Sequence, residues 1–287
     1  MRNDTRCPSC EAKVNWAMDR CPKCKHDMGF PNIREVGCSN ELDKLDSRHR
    51  KALDDAAKNN AQDRVSAFEK VLASQSSAVI NCSPSFLAGF LEDNRILYST
   101  YKLQVDAETR KAASMNDDRQ RHGTEGTLFG SYAGDICYAA LSLDGAGLVS
   151  NGPCSVTISE TTCEASATLL EENSYTFVRN RNILPGDDIP LGYRALWRDR
   201  HKLAVAKLAH KVTPGTQDHT FKHLLLESDG NKENDEFLEI HLYGPFDNQS
   251  IDAVSAPRPE NAPNKEKNDL RRIRDQITKS GKQWMEQ

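Results

Sequence analysis

The chain has 287 residues, 37% of them hydrophobic and 28% charged. At roughly 100–150 residues per domain this allows one large domain with an appendage or two ordinary ones, with chain enough for a buried core. Thirty-eight Lys and Arg against 42 Asp and Glu leave a net charge of −4, which excludes a polycation drawn to DNA or lipid by net charge and leaves only local basic patches. The composition is too apolar for wholesale disorder, no stretch approaches the roughly 20 apolar residues of a spanning helix, and residues 1–6 lack the apolar core of a secretory signal. A soluble, cytoplasmic protein without membrane contact is the expectation.

Four of the nine cysteines fall in the first 24 residues as Cys7-Pro8-Ser9-Cys10 and Cys21-Pro22-Lys23-Cys24. Two residues between cysteines let both sulfurs of a tight turn face one metal. Two such turns joined by ten residues complete a tetrahedron with Zn–S distances near about 2.3 Å, so Cys7, Cys10, Cys21 and Cys24 are the expected ligands of a structural Zn2+. The connection must fold back as a hairpin, and residues 13–18 offer an apolar strand whose Trp16 would shield the metal. A redox dithiol pair is the competing reading. Residues 1–25 carry six basic against three acidic side chains, which fits weak nucleic-acid contact or a bare protein-docking role. The other five cysteines, including Cys38, Cys82 and Cys137, are scattered, and an odd total argues against a disulfide framework.

Apolar and small residues then recur from Leu42 to Leu72 with a three-four rhythm that predicts one long amphipathic helix, either packed on a domain or serving as a solvated connector. Ser83-Pro84 reads as an N-cap with proline at the first helical position, opening a short helix that stops at Asp93-Asn94. A strand is predicted over residues 95–101, and a long polar loop or weak helix over 104–127, containing Arg121 and His122. Three β-like runs follow at 136–143, 154–158 and 167–170, then a helical run over 191–211 and a last clear strand over 236–243. Beyond Pro257 a polar linker leads to a basic helix from about Asp269.

The strand at 236–243 alternates: Leu238, Ile240 and Leu242 face one way, and Phe237, Glu239, His241 and Tyr243 the other. One face is core; the other is either a chemical wall or a solvated face. No G-x-S-x-G, Walker loop, G-x-G-x-x-G or H-E-x-x-H occurs, which removes the usual signatures of hydrolase, P-loop, Rossmann and zincin chemistry.

Leu91-Glu92-Asp93-Asn94-Arg95, Gly126-Thr127-Leu128-Phe129-Gly130-Ser131-Tyr132, Tyr138-Ala139-Ala140-Leu141, Gly152-Pro153-Cys154-Ser155, Ala167-Thr168-Leu169-Leu170-Glu171-Glu172-Asn173-Ser174 and Glu239-Ile240-His241-Leu242-Tyr243-Gly244 stand in an order and spacing that resemble a bacterial family of ADP-ribosyltransferase-like proteins, over roughly residues 84–256. Over those residues the resemblance implies a split, strongly bent pair of small sheets with flanking helices and says nothing of the cysteine pairs or the basic tail; with the zinc ribbon or knuckle and the long helix read above, the expected fold is α+β. The expected domains are a zinc knuckle over 1–30, a helical connector over 31–82, an ADP-ribosyltransferase-like catalytic domain over 83–256, and a basic C-terminal linker and helix over 257–287.

The resemblance further implies that NAD is the substrate. Arg95 would contact its phosphates or ribose, Ser174 or Thr168 would orient the catalytic Glu239, and His241 would line the site. Glu239 would stabilise the oxocarbenium-like cation formed as nicotinamide leaves. Enzymes of this kind that modify arginine carry Gln or Glu two residues before the catalytic glutamate; here that residue is Phe237, so another acceptor is expected. The expected function is a toxin or defence effector transferring ADP-ribose to a macromolecular acceptor, protein or nucleic acid, with an antitoxin or inhibitor protein as partner. The alternative is a non-catalytic zinc-knuckle module binding nucleic acid or protein, and last in rank stands a magnesium nuclease using Asp135, Asp144 and Glu239.

Overall fold

The fold was analysed on a computed structural model, which describes residues 4–7, 9–15, 18, 20–100 and 115–287. Strand β1 (Asp4–Arg6) pairs antiparallel with β2 (Lys13–Asn15), placing Arg6 opposite Lys13. The expected strand within the connection is present, but its partner precedes Cys7, so the hairpin encloses the first cysteine pair instead of lying between the two pairs; Trp16 lies outside the described residues. Helix α1 (Pro31–Val36) follows, with proline in its first turn where a missing N–H costs nothing.

The predicted single long helix is two helices, α2 (Ser39–Lys58) and α3 (Gln62–Gln75). Asn60 takes a left-handed φ of 55°, which asparagine tolerates better than most residues, while Ala61 N donates to Ala56 O at 2.8 Å and Asn60 N to Ala57 O at 3.1 Å. That pair of bonds is a Schellman closure, so α2 ends within an unbroken apolar stripe. The stripe is docked rather than solvated: Leu45, Ala56, Val65, Phe68 and Leu72 are buried in the main core.

Eight strands form one continuously hydrogen-bonded sheet. They are β3 (Ser77–Cys82), β4 (Ile136–Ser142), β5 (Cys154–Ile158), β6 (Ala167–Leu170), β7 (Arg194–Leu196), β8 (Glu239–Tyr243), β9 (Ile251–Ala256) and β10 (Gln283–Glu286), in the order β10-β9-β5-β3-β4-β8-β6-β7. All neighbours are antiparallel except β10 and β9. The α+β class holds, and the described strands make one sheet of eight beside the β1–β2 hairpin. The segment 77–82, which the sequence reading places at the end of a helical connector, forms a central strand of that sheet.

Two other expectations are corrected. Residues 95–100 form no strand: the Asp93 carboxylate accepts from Arg95 N at 2.9 Å, a local turn that competes with extension, and only Tyr98 bridges to Phe246. The rest of that predicted strand, and much of the polar loop after it (residues 101–114), lie outside the described residues; its end is helix α5 (Met115–Phe129). The run at 191–211 opens as β7, because Gly192 at φ 84° turns the chain into pairing with β6, and helix α8 starts only at Arg200 (Arg200–Leu208). The intervening helices are α4 (Pro84–Phe90), α6 (Glu160–Ser166) and α7 (Ser174–Asn180). Beyond α8 come α9 (Phe221–Leu225) and the C-terminal α10 (Asn264–Lys279), whose Leu270, Ile273 and Ile277 are buried.

The sheet's two faces have different cover. Cys137, Ala139, Leu141, Leu169, Ile240 and Leu242 face the main core with α2, α3 and α8. Ile136, Leu170, Tyr138 and Tyr243 face a second cluster with Leu128, Phe129, Tyr132 and Phe177. Strand register places Glu239 opposite Ala140 and Leu170, and His241 opposite Tyr138 and Thr168, so both polar residues of β8 lie on that second face.

Helix α2 is tied to β7 by a buried ion pair. Glu41, fully buried, accepts from Gly192 N at 3.0 Å, Arg194 N at 3.3 Å and the Arg194 guanidinium at 3.0 Å. Removing one partner of such a pair strands a buried charge, so Glu41→Ala is expected to lower the unfolding free energy by about 3–5 kcal/mol in urea titrations.

Candidate functional site

The four sulfurs of Cys7, Cys10, Cys21 and Cys24 lie within 4.8 Å of one another, with Sγ–Sγ distances of 3.6 Å for Cys7–Cys24 and 3.7 Å for Cys10–Cys21. A tetrahedron with Zn–S bonds of about 2.3 Å has edges of about 3.8 Å, so the cluster already has the dimensions of a tetrathiolate site. The two turns that build it are alike. Glu11 N donates to Cys7 O and Lys25 N to Cys21 O, and Glu11 and Lys25 both take positive φ, 55° and 63°. Backbone N–H groups of Cys24 and Lys23 pull the Cys21 thiol down to about 6, while Cys10, despite a backbone hydrogen bond at Ala12, is pushed up by desolvation and the neighbouring sulfurs. Among the described residues this is the one group of three or more ligand side chains close enough to hold a metal, so Asp135, Asp144 and Glu239 do not form a magnesium site.

The second constellation centres on Glu239, only 4% exposed. Its carboxylate accepts from Asn173 Nδ2 at 3.0 Å, Ser174 N at 3.3 Å, His241 Nε2 at 2.8 Å and the Ser174 hydroxyl. The local sequence builds this clasp. After β6 the chain turns at Glu171-Glu172, and Asn173 caps α7, its Oδ1 accepting from Tyr175 N and Thr176 N. The same side chain therefore starts the helix with its oxygen and holds Glu239 with its nitrogen. Arg181 bonds Glu171 at 2.5 Å and also Glu172, and Arg48 bonds Glu171 at 2.7 Å, bracing the turn that carries Ser174.

Protonation follows from the partners. A carboxylate only accepts, so His241 Nε2 carries a hydrogen, and the Ser174 hydroxyl points its own at Glu239. Ser174 Oγ also lies 3.2 Å from His241 Nε2. A serine-hydrolase relay needs the acid on one ring nitrogen and the serine on the other; here both meet Nε2, so His241 cannot draw a proton from Ser174. The serine holds the acid rather than acting as a nucleophile. Aromatic rings enclose the group: His241 meets Phe129 edge-on at 4.8 Å and Tyr138 at 5.5 Å, and the hollow beside it has a volume of about 10 Å³, the size of one water.

The structure thus brings together Glu239, Ser174 and His241. Thr168 is buried opposite His241 and accepts from Asn32 instead of touching Glu239. Arg95 sits on an exposed turn, 87% exposed, paired with Asp93. Among the described residues, cations on this face of the sheet include Arg121, 5.9 Å from the Tyr138 ring and 3.6 Å from Glu125, and Arg194, which stands opposite Leu170 and is bound to Glu41. Asn173, Tyr138 and Glu125 were not singled out from sequence. An Asn-Ser pair before a helical run is a capping signal that points to Asn173, whereas Glu125 lies on a polar helix with no periodicity to mark it.

Burial pushes the Glu125 carboxyl up, opposed by Arg121 and reinforced by the charge of Glu239. An acid raised on folding contributes stability that is complete below its unfolded value and is lost as pH rises through the folded one. Glu125→Gln is therefore expected to raise Tm at neutral pH and to flatten the decline above the ordinary carboxylate range, read by thermal melts from pH 4 to 8. For the thiolates, elemental analysis is expected to find one zinc per chain and essentially none in Cys21→Ser. Compared with known proteins, the chain matches no family model and no curated protein.

Proposed function

We propose that the chain cleaves NAD and transfers ADP-ribose, with Glu239 stabilising the cation formed as nicotinamide departs. The observation that carries this reading is the buried Glu239 carboxylate, oriented by Ser174, Asn173 and His241 on a wall of aromatic side chains. When the bond between ribose C1′ and the nicotinamide nitrogen breaks, the nitrogen keeps the electron pair and positive charge develops on the ribose. A fixed anion beside that carbon, held by donors that need not reorganise, stabilises the transition state more than the ground state. The acceptor then supplies its electron pair to C1′ and gives up a proton.

Ser174 acts on the acid, not on the substrate, and His241 keeps the carboxylate turned toward the aromatic wall. Arg121 takes the phosphate-binding part that the resemblance assigns to Arg95, since it lies on the same face as Glu239 while Arg95 pairs with Asp93 in solvent. Phe237, two residues before Glu239, is 6% exposed and packs with Ala140 and Leu148. It brings no second acid to the acceptor, which favours a nucleic-acid base or a hydroxyl over arginine. The Phe129 ring covers His241, so substrate entry involves movement of the end of α5.

The test is nicotinamide release, followed by chromatography after incubating the zinc-loaded protein with NAD. Wild-type protein is expected to release nicotinamide, and Glu239→Gln, which keeps the shape and removes the charge, is expected to cut kcat by about 10²–10³-fold. NAD left intact by the wild-type protein in the presence of a cell extract containing protein and nucleic-acid acceptors contradicts the proposal.

A further inference from the structure

The thiolate cluster and the Glu239 site meet at one short helix. On the cluster's side, Arg34 of α1 donates to the Met18 carbonyl at 3.0 Å, and Met28, just before the helix, is buried with Cys7, Val14 and Cys21. On the other side the Phe30 ring stacks on Tyr243 at 5.1 Å with an interplanar angle of 29°. Tyr243 is two residues beyond His241 on the same face of β8.

Between these contacts stands Asn32, 2% exposed. Its Nδ2 donates to Ser166 O at 2.8 Å, to the backbone carbonyl of His241 at 3.2 Å and, more weakly, to Thr168 Oγ1 at 3.4 Å. These acceptors belong to β8, to β6 and to the last residue of α6, which leads directly into β6; the two strands register Thr168 opposite His241. One amide therefore crosslinks the strand that carries the acid to the strand that leads into the Ser174 turn.

A six-residue helix has negligible stability by itself, so the place of α1 depends on its tertiary contacts: Asn32 and Val36 buried against the sheet, Glu35 3.6 Å from the Arg194 guanidinium, and the contacts of Arg34 and Met28 with the cysteine module. Among the described residues, the buried core of the N-terminal module is Cys7, Val14, Cys21 and Met28. That is too little to fold without a crosslink, and four thiolates at tetrahedral spacing supply one when a zinc-class divalent metal joins them. With the metal bound, the Met18 carbonyl and the Met28–Phe30 segment are fixed. Without it, the Met18 carbonyl that anchors Arg34 and the Met28 packing that leads into Phe30 are free to move.

We propose that Asn32 is a positioning residue for the His241–Glu239 pair, and that metal loading of the Cys7, Cys10, Cys21 and Cys24 cluster controls that pair through α1. The metal then does more than hold a terminus: it sets the geometry of a group on β8 through a chain of named contacts. The catalytic consequence rests on the NAD reading above; the coupling itself does not.

Hydrogen exchange with mass spectrometry on the full chain decides it. Zinc-loaded protein is compared with protein stripped by a chelator and with protein reloaded with zinc. Stripping is expected to speed amide exchange across residues 239–243 by at least about tenfold, reversibly, while α3 and α8 stay protected. Zinc-loaded Asn32→Leu is expected to show the same acceleration, and stripping that variant to add less than about twofold. Should Asn32→Leu not fold, Phe30→Ala replaces it, and the chelation arm needs no substitution. Free exchange across residues 4–28 on stripping, with 239–243 unchanged, overturns the proposal. In the NAD assay Asn32→Leu is expected to lower kcat with KM changed less than about twofold. Wild-type protein that leaves NAD intact defeats the functional reading alone, since the exchange result still decides the coupling.

Discussion

The structure turns on one carboxylate taken out of water and given back a full set of donors. Burying an acid on a sheet face lined by Phe129, Tyr138 and Leu170 is costly unless its oxygens are hydrogen-bonded, and Glu239 receives four donors from a segment of only two residues plus His241. This requirement shapes the neighbourhood. It explains why the chain reverses after β6, why an asparagine rather than a serine caps α7, and why two arginines hold Glu171 and Glu172 at that turn. A merely solvated face does not need such support.

The sequence was legible where chemistry follows from spacing or period. Two C-x-x-C turns gave the tetrathiolate cluster, because sulfur geometry depends on a few local bonds. Alternation along residues 238–243 separated core from polar face correctly, because a strand's period is fixed. Ser83-Pro84 opened a helix as expected, its hydroxyl accepting from Phe86 N. What could not be read depended on distant partners. β3, with apolar residues on both faces, shows no alternation, and its strand nature comes from pairing with β4 and β5. β7 was hidden inside a helical pattern that pairing with β6 overrides. Asn32 left no trace in the sequence, since its three acceptors lie 134 to 209 residues away.

The same distinction sorts the candidate site. Glu239 and His241 share a strand face and were found together; Ser174 comes to them only through the reversal after Leu170, so sequence left it level with Thr168. Arg95 illustrates the opposite case: a charged residue beside an expected strand looks well placed until Asp93 captures both its backbone and its side chain in a local turn. Local hydrogen bonding won over extension there, while Arg121 of α5 and Arg194 of β7 lie on the face that holds Glu239.

The central claim is that the oriented carboxylate on β8 sits beside the carbon at which NAD is cleaved. A crystal structure of the Glu239→Gln protein, zinc-loaded and soaked with intact NAD, tests it most directly. The account expects the nicotinamide ribose within hydrogen-bonding distance of residue 239, with Phe129 displaced from His241 and Arg121 turned to the phosphates. A dinucleotide bound away from β8, or no bound dinucleotide at millimolar concentration while residues 239–243 keep their present arrangement, would contradict it.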